Sequence, residues 1–257
     1  MAASHRGRVT GEVAMLMSVV EGLRSNHFYP EIAGKRVLIT GMTAAMGVDI
    51  ARAFAEAKAR LVLQFDESSE EMQAVAEVLA PMAVDLAVYG GVRPEADDVV
   101  RFARTAVTRF GGIDADVNII PLAGVRHGHA LTANDVEKQV ADRLVLPCLV
   151  SRIVANRMRL TLTDGVILNI ATLPGRPSGT ERAFGMVAKS ALATMTRKEA
   201  IEWGREGIRF NAVAPQCGGI STEPGLAGEA DIAALALYLT SGRGKALSGH
   251  MFDAELA

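Results

Sequence analysis

The stretch that decides the fold is Arg36-Val37-Leu38-Ile39-Thr40-Gly41-Met42-Thr43-Ala44-Ala45-Met46-Gly47, with Val48–Ala57 directly after it. Arg36–Thr40 is a short aliphatic run, the composition of a strand buried on both faces. Val48–Ala57 carries the spacing of a helix. Between them lie Gly41 and Gly47, where a chain leaving a strand must turn tightly. Glycines at such a turn also let the backbone approach a pyrophosphate, which then rests on free N–H groups at the helix start. A tight turn with close helix packing would need the same two residues, so the glycines alone leave both readings open.

Outward from this unit the alternation continues. Strands are predicted at Leu61–Phe65, Leu86–Tyr89, Asp116–Ile120, Val166–Ile170, Ile208–Val213 and Ser248–Asp253. Helices are predicted at Glu70–Leu79, Ala96–Phe110, Asp135–Met158, Arg182–Trp203 and Asp231–Leu239. Regular alternation of this kind implies right-handed crossovers, hence an α/β, doubly wound Rossmann-type domain with a parallel seven-stranded sheet. That domain is assigned to residues 34–257. Residues 1–33 form an extension, with Val13, Leu16, Met17, Val20 and Leu23 on one face of a helix over Gly11–Arg24. The helix is expected to lie on the domain, on a second subunit or on a partner.

The composition removes several function classes. Lys plus Arg is 27 against 29 for Asp plus Glu, a net charge of -2, so no field grips nucleic acid. Two cysteines, Cys148 and Cys217, are too few for a disulfide framework or a zinc site. No apolar run is long enough for a membrane span, and Glu12 and Glu21 flank the apolar Val13–Val20 segment. A cytoplasmic protein is expected. The second predicted strand ends in Phe65-Asp66, 25 residues after Gly41. A carboxylate at that spacing either binds adenosine ribose hydroxyls and repels a 2′-phosphate, which favours NAD(H) over NADP(H), or is a solvated loop acid ahead of Glu67, Glu70 and Glu71.

With these elements placed, the chain resembles the short-chain dehydrogenase/reductase family from about Gly34 to Asp253. Thr40-Gly41 with Gly47 is similar to the family's TGxxxGxG loop, with Ala45 at the middle glycine. Phe110-Gly111-Gly112-Ile113-Asp114 resembles the approach to its fourth strand. Gly207-Ile208-Arg209-Phe210-Asn211-Ala212-Val213-Ala214-Pro215 is the most specific match. The resemblance implies cofactor contacts from Gly41, Thr43, Met46, Gly47, Asp66, Asn118, Lys189 and Pro215. It also implies a homodimer or homotetramer paired through Asp135–Met158 and Arg182–Trp203.

The departures from the family pattern bear on chemistry. The fourth strand ends Asn118-Ile119-Ile120-Pro121 where the family has Asn-Asn-Ala-Gly. The family's catalysis uses Asn, Ser, Tyr and Lys, with Tyr and Lys four apart on one helix face. Ala188-Lys189-Ser190-Ala191-Leu192 resembles the end of that motif, so Lys189 is the candidate lysine and Thr172 stands at the serine position. Gly185, preceded by Phe184, stands at the tyrosine position, and Asp142 or Arg143 at that of the helical asparagine. His127, in Arg126-His127-Gly128-His129 after the fourth strand, is a weaker candidate acid. Gln216–Gly225 replaces a longer substrate lid, with Ser221 or Thr222 as a counterpart of the family's carboxamide-binding Thr. Two functions follow from the resemblance: an NAD(H)-dependent oxidoreductase of a carbonyl or alcohol, or a catalytically inactive dinucleotide-binding or scaffold homologue. A third has no nucleotide, with Ala45 and Pro121 closing the pocket.

Overall fold

The computed structural model describes residues 29–43, 46–66, 69–93, 95–122, 133–173, 177–216, 226 and 228–254. The helix expected at Gly11–Arg24 lies outside them. The strands are β1 (Arg36–Met42), β2 (Arg60–Phe65), β3 (Asp85–Gly90), β4 (Ala115–Pro121), β5 (Val166–Thr172), β6 (Arg209–Pro215) and β7 (Met251–Ala254). The helices are α1 (Val48–Glu56), α2 (Glu70–Leu79), α3 (Ala96–Ala106), α4 (Ala133–Val140), α5 (Leu146–Leu160), α6 (Gly179–Trp203) and α7 (Glu229–Thr240). All seven strands run parallel in the order β3-β2-β1-β4-β5-β6-β7. This is the doubly wound sheet that the alternation of short apolar runs and amphipathic segments predicts.

Alternating strand residues build two cores, because successive side chains point to opposite faces. On one face Ile39, Leu63, Val117 and Leu168 meet Phe54 of α1, Leu79 of α2 and Ile232 and Leu239 of α7. On the other, Leu38, Val62, Ile167 and Phe210 meet Phe102 of α3 and Val154 and Met158 of α5. Ile32, in a short turn before β1, is fully buried in the first core.

Arg36 clamps the amino ends of β1 and β4. Its guanidinium makes two hydrogen bonds to the Asp114 carboxylate, at 2.8 and 2.7 Å, and its backbone N–H donates a third at 2.8 Å. Burial alone would push the Asp114 carboxyl up, but the Arg36 bonds prevail and hold it below the ordinary range.

The long helix expected at Asp135–Met158 is interrupted. A π-helical turn, Ala141–Val145, separates α4 from α5. Leu146 N–H reaches back to the Ala141 carbonyl, five residues away. Pro147 follows, and it has no N–H to offer and a ring that crowds the carbonyl four residues before it. The wider turn absorbs both problems. It also falls on Asp142 and Arg143, and such bulges recur at functional positions.

α6 carries Lys189, and a capping box fixes its start. Ser178 Oγ accepts from Glu181 N–H at 3.2 Å, while Glu181 accepts from Ser178 N–H at 2.8 Å. Ser178→Ala is expected to cost about 1 kcal/mol in urea unfolding, the usual worth of such a cap. A cost near zero would show that packing alone sets this helix end.

Candidate functional site

In a sheet of this order the chain winds one way from β1 to β3 and the other way from β4 to β7. The carboxyl ends of β1 and β4 therefore open a crevice between them. A cleft of about 350 Å³ lies there. Thr40 and Gly41 of β1, Gln64 of β2, Asp66, Ile119–Pro121 of β4 and Asp142 and Arg143 of the π turn line it. That volume suits a small ligand or one end of a larger one. Arg143 is drawn to the strand edge, where its guanidinium donates to the Pro121 carbonyl at 2.5 Å.

Gly41 and Gly47 both have left-handed backbone, φ 70° and 98°. A Cβ on Gly41 would lie 2.0 Å from the Ile119 carbonyl oxygen, and one on Gly47 would lie 2.6 Å from Ile119 Cδ1. The loop thus presses against β4, and the backbone contact at Gly41, with left-handed backbone at both positions, calls for glycine without any ligand. The Gly41 N–H donates to buried Gln64 Oε1 at 2.7 Å, which ties β1 to β2 at the cleft. Thr43 and Met46 close the loop on itself, each N–H bonded to the other's carbonyl at 3.0 and 3.3 Å. Asp66 is exposed at the cleft, with its backbone N–H on the Met42 carbonyl at 3.1 Å.

The start of α1 is where a phosphate would rest, and sequence reasoning missed what sits there. Glu229 Oε1 accepts three backbone N–H groups, those of Gly47 at 2.9 Å, Asp49 at 2.7 Å and Ile50 at 3.2 Å. Burial above all, with Asp49 nearby, pushes the Glu229 carboxyl above its ordinary range, while the three N–H bonds pull the other way.

Asn118, next to Ile119 of the cleft wall, is fully buried. The register sets Thr40, Asn118 and Asn169 side by side on β1, β4 and β5. Thr40 Oγ1 donates to Asn118 Oδ1 at 2.7 Å. Asn118 Nδ2 lies 2.8 Å from Asp116 Oδ2, 3.1 Å from Ser151 Oγ and 3.1 Å from Asn169 Oδ1. Its polar atoms are thus engaged within the sheet. Asp116, also fully buried, has one carboxyl oxygen without a partner, and burial pushes it up to about 7 against the Asn118 bond.

Thr172 ends β5, half-buried, in register with Pro121 of β4. Lys189 Nζ forms an ion pair with Asp253 of β7 at 2.5 Å. Asp253 also accepts Leu226 N–H on its carbonyl at 2.9 Å, which anchors the approach to α7. Pro215 ends β6 beside Ala254. Between these groups the strand ends carry an apolar cluster of Ile120, Leu122, Ala171, Leu173 and Ala214, joined by Ala188 and Leu192 of α6, with Phe184 against it. Ala45, His127, His129, Cys217, Ser221 and Thr222 lie outside the described residues. Among the described residues no His, Cys, Asp and Glu cluster could hold a metal, and no helix is long and apolar enough to cross a membrane.

Comparison with known proteins adds to this geometry. The family model described as enoyl-(acyl carrier protein) reductase matches residues 41–228. An uncharacterized oxidoreductase of Thermotoga maritima is 31% identical over 186 residues, covering 71% of this chain and 71% of that protein. The levodione reductase of Leifsonia aquatica is 32% identical over 183 residues, covering 70% and 67%. A solved NADH-dependent reductase complexed with NAD superposes with a TM-score of 0.71 at 20% identity, over 87% of this chain and 96% of that one.

Proposed function

Because this chain belongs to the short-chain dehydrogenase/reductase family, we propose that it is an NAD(H)-binding oxidoreductase-family protein whose carboxyl-edge cleft receives the adenosine end of the dinucleotide. Members of this family typically bind a nicotinamide dinucleotide and a small substrate, and are usually oligomeric. The observation that carries the reading is Asp66, exposed beside Gly41 at the mouth of the 350 Å³ cleft. A carboxylate there accepts ribose hydroxyls and repels a 2′-phosphate. The adenosine end thus fits the residues present. The pyrophosphate seat does not, because Glu229 already holds its N–H groups.

When bound, a nicotinamide exchanges hydride with a carbonyl or alcohol. On this chain's side, the Thr172 hydroxyl is able to donate to a carbonyl oxygen. Lys189 would offer positive charge, but Asp253 holds it. Gly185, four residues before Lys189, has no hydroxyl to move a proton. General acid help is worth about 10²–10⁴ in rate. The Lys189–Asp253 pair therefore favours a second reading, a family member that binds dinucleotide without turning over the family's substrates. Exposed Met186 and Val187 on α6, with Val145 ahead of α5, support pairing of two copies along these helices.

Calorimetric titration tests the cofactor. NADH is expected to bind more tightly than NADPH, and Asp66→Ala is expected to weaken NADH by about tenfold and erase the difference. Tighter binding of NADPH, or no effect of Asp66→Ala on NADH, would overturn the assignment to NAD(H).

A further inference from the structure

A helix of nine residues such as α1 leaves N–H groups at its start without helical partners, and an anion placed there satisfies them. In α1 that anion is the chain's own. One oxygen of Glu229 gathers the N–H groups of Gly47, Asp49 and Ile50 within 2.7 to 3.2 Å. The loop ahead has closed in the same sense, with the Thr43 and Met46 N–H groups bonded to each other's carbonyls. Glu229 is firmly placed. It is the first residue of α7, whose Ile232 and Leu239 share a core with Phe54 of α1. Three residues earlier, Leu226 is pinned to Asp253, the partner of Lys189.

Two anions cannot share three N–H groups, and like charges this close repel strongly. We infer that Glu229 is a resident competitor for the phosphate seat at the start of α1, so that this side chain sets how strongly the site holds a phosphate-bearing ligand. A pyrophosphate must displace Glu229 from its N–H groups before it gains them. Glu229 therefore weakens the phosphate contribution to dinucleotide binding and leaves recognition weighted toward the adenosine end. The dinucleotide part of this inference rests on the function proposed above, whereas the anion part does not.

The test compares wild type, Glu229→Ala and Glu229→Gln at fixed ionic strength, with inorganic pyrophosphate and NADH as separate probes. Glu229→Ala vacates the seat. It is expected to melt below wild type, and pyrophosphate is expected to raise its melting temperature while leaving wild type unmoved. NADH is expected to bind Glu229→Ala about tenfold more tightly than wild type, the gain of an N-terminal anion site. Glu229→Gln keeps an acceptor oxygen but loses the charge, and should show a smaller gain of the same sign. It carries the test if the alanine variant does not fold. Equal pyrophosphate shifts in wild type and variants, or none in any, would overturn the inference. Rescue of Glu229→Ala by pyrophosphate with no NADH binding in any variant would uphold Glu229 as the resident anion and overturn the dinucleotide reading instead.

Discussion

Gly41→Ala is expected to destabilise the protein by about 3–5 kcal/mol, a large part of the total stability of an ordinary domain. Two costs combine. A Cβ at φ 70° strains the backbone by about 1–2 kcal/mol. The larger cost is steric, because that Cβ would lie 2.0 Å from the Ile119 carbonyl oxygen, a backbone atom that cannot rotate away. β1 or β4 must shift, and the Gly41–Gln64 bond that ties β1 to β2 shifts with it. Gly34→Ala is the matched control. Gly34 has φ 77° but open space where its Cβ would go, so only the strain applies and about 1 kcal/mol is expected. Urea unfolding of the two variants separates strain from clash. Equal costs would mean that the loop yields freely, and the close approach to β4 would then not be what selects glycine here.

The same glycine is plain in the sequence. A strand, a turn and a helix in succession leave few residues able to make the turn, so Gly41 and Gly47 were legible. Asp66 was legible because a strand ending at Phe65 delivers the next residue to the carboxyl edge. The strands stood out because their apolar runs are buried on both faces. The break in the long helix was marked by Pro147, but the apolar spacing on either side carries through it. Glu229 was not legible. An acid in the first turn of a helix ordinarily complements that helix's own dipole, and nothing local says that this one serves a helix some 180 residues earlier in the chain. Asp253 was hidden similarly, 64 residues from Lys189. Asp116 stood at the predicted start of its strand, where an acid reads as an exposed end. The strand begins at Ala115 with β1 and β5 on either side, so the acid is interior.

That interior acid gives the second large expected effect, a stability that falls as pH rises. Asp116 is fully buried, and one oxygen accepts the Asn118 amide at 2.8 Å while the other has no partner. Burial pushes its carboxyl up to about 7, against the opposing pull of the Asn118 bond. An aspartate in the unfolded chain titrates at about 3.9. Between these values the folded protein keeps a proton that the unfolded chain has released. Stability must therefore fall with rising pH across that window and level off above it, by on the order of 4 kcal/mol in all. The sign is opposite to that of Asp114, whose carboxyl Arg36 holds low and whose contribution is lost on acidification. Asp116→Asn keeps the shape and an acceptor for Asn118 but removes the titration. Urea unfolding of both proteins from about pH 4 to about pH 9 gives the difference curve, in which titrations common to both cancel. The variant is expected to gain on wild type steadily up to about pH 7 and to hold that gain above it. The amide's own fit to the site adds an offset that does not change with pH, so the slope carries the result. A flat difference would mean that Asp116 ionises in the folded sheet as readily as in water, and that the Thr40–Asn118–Asn169 row is held together around a charge.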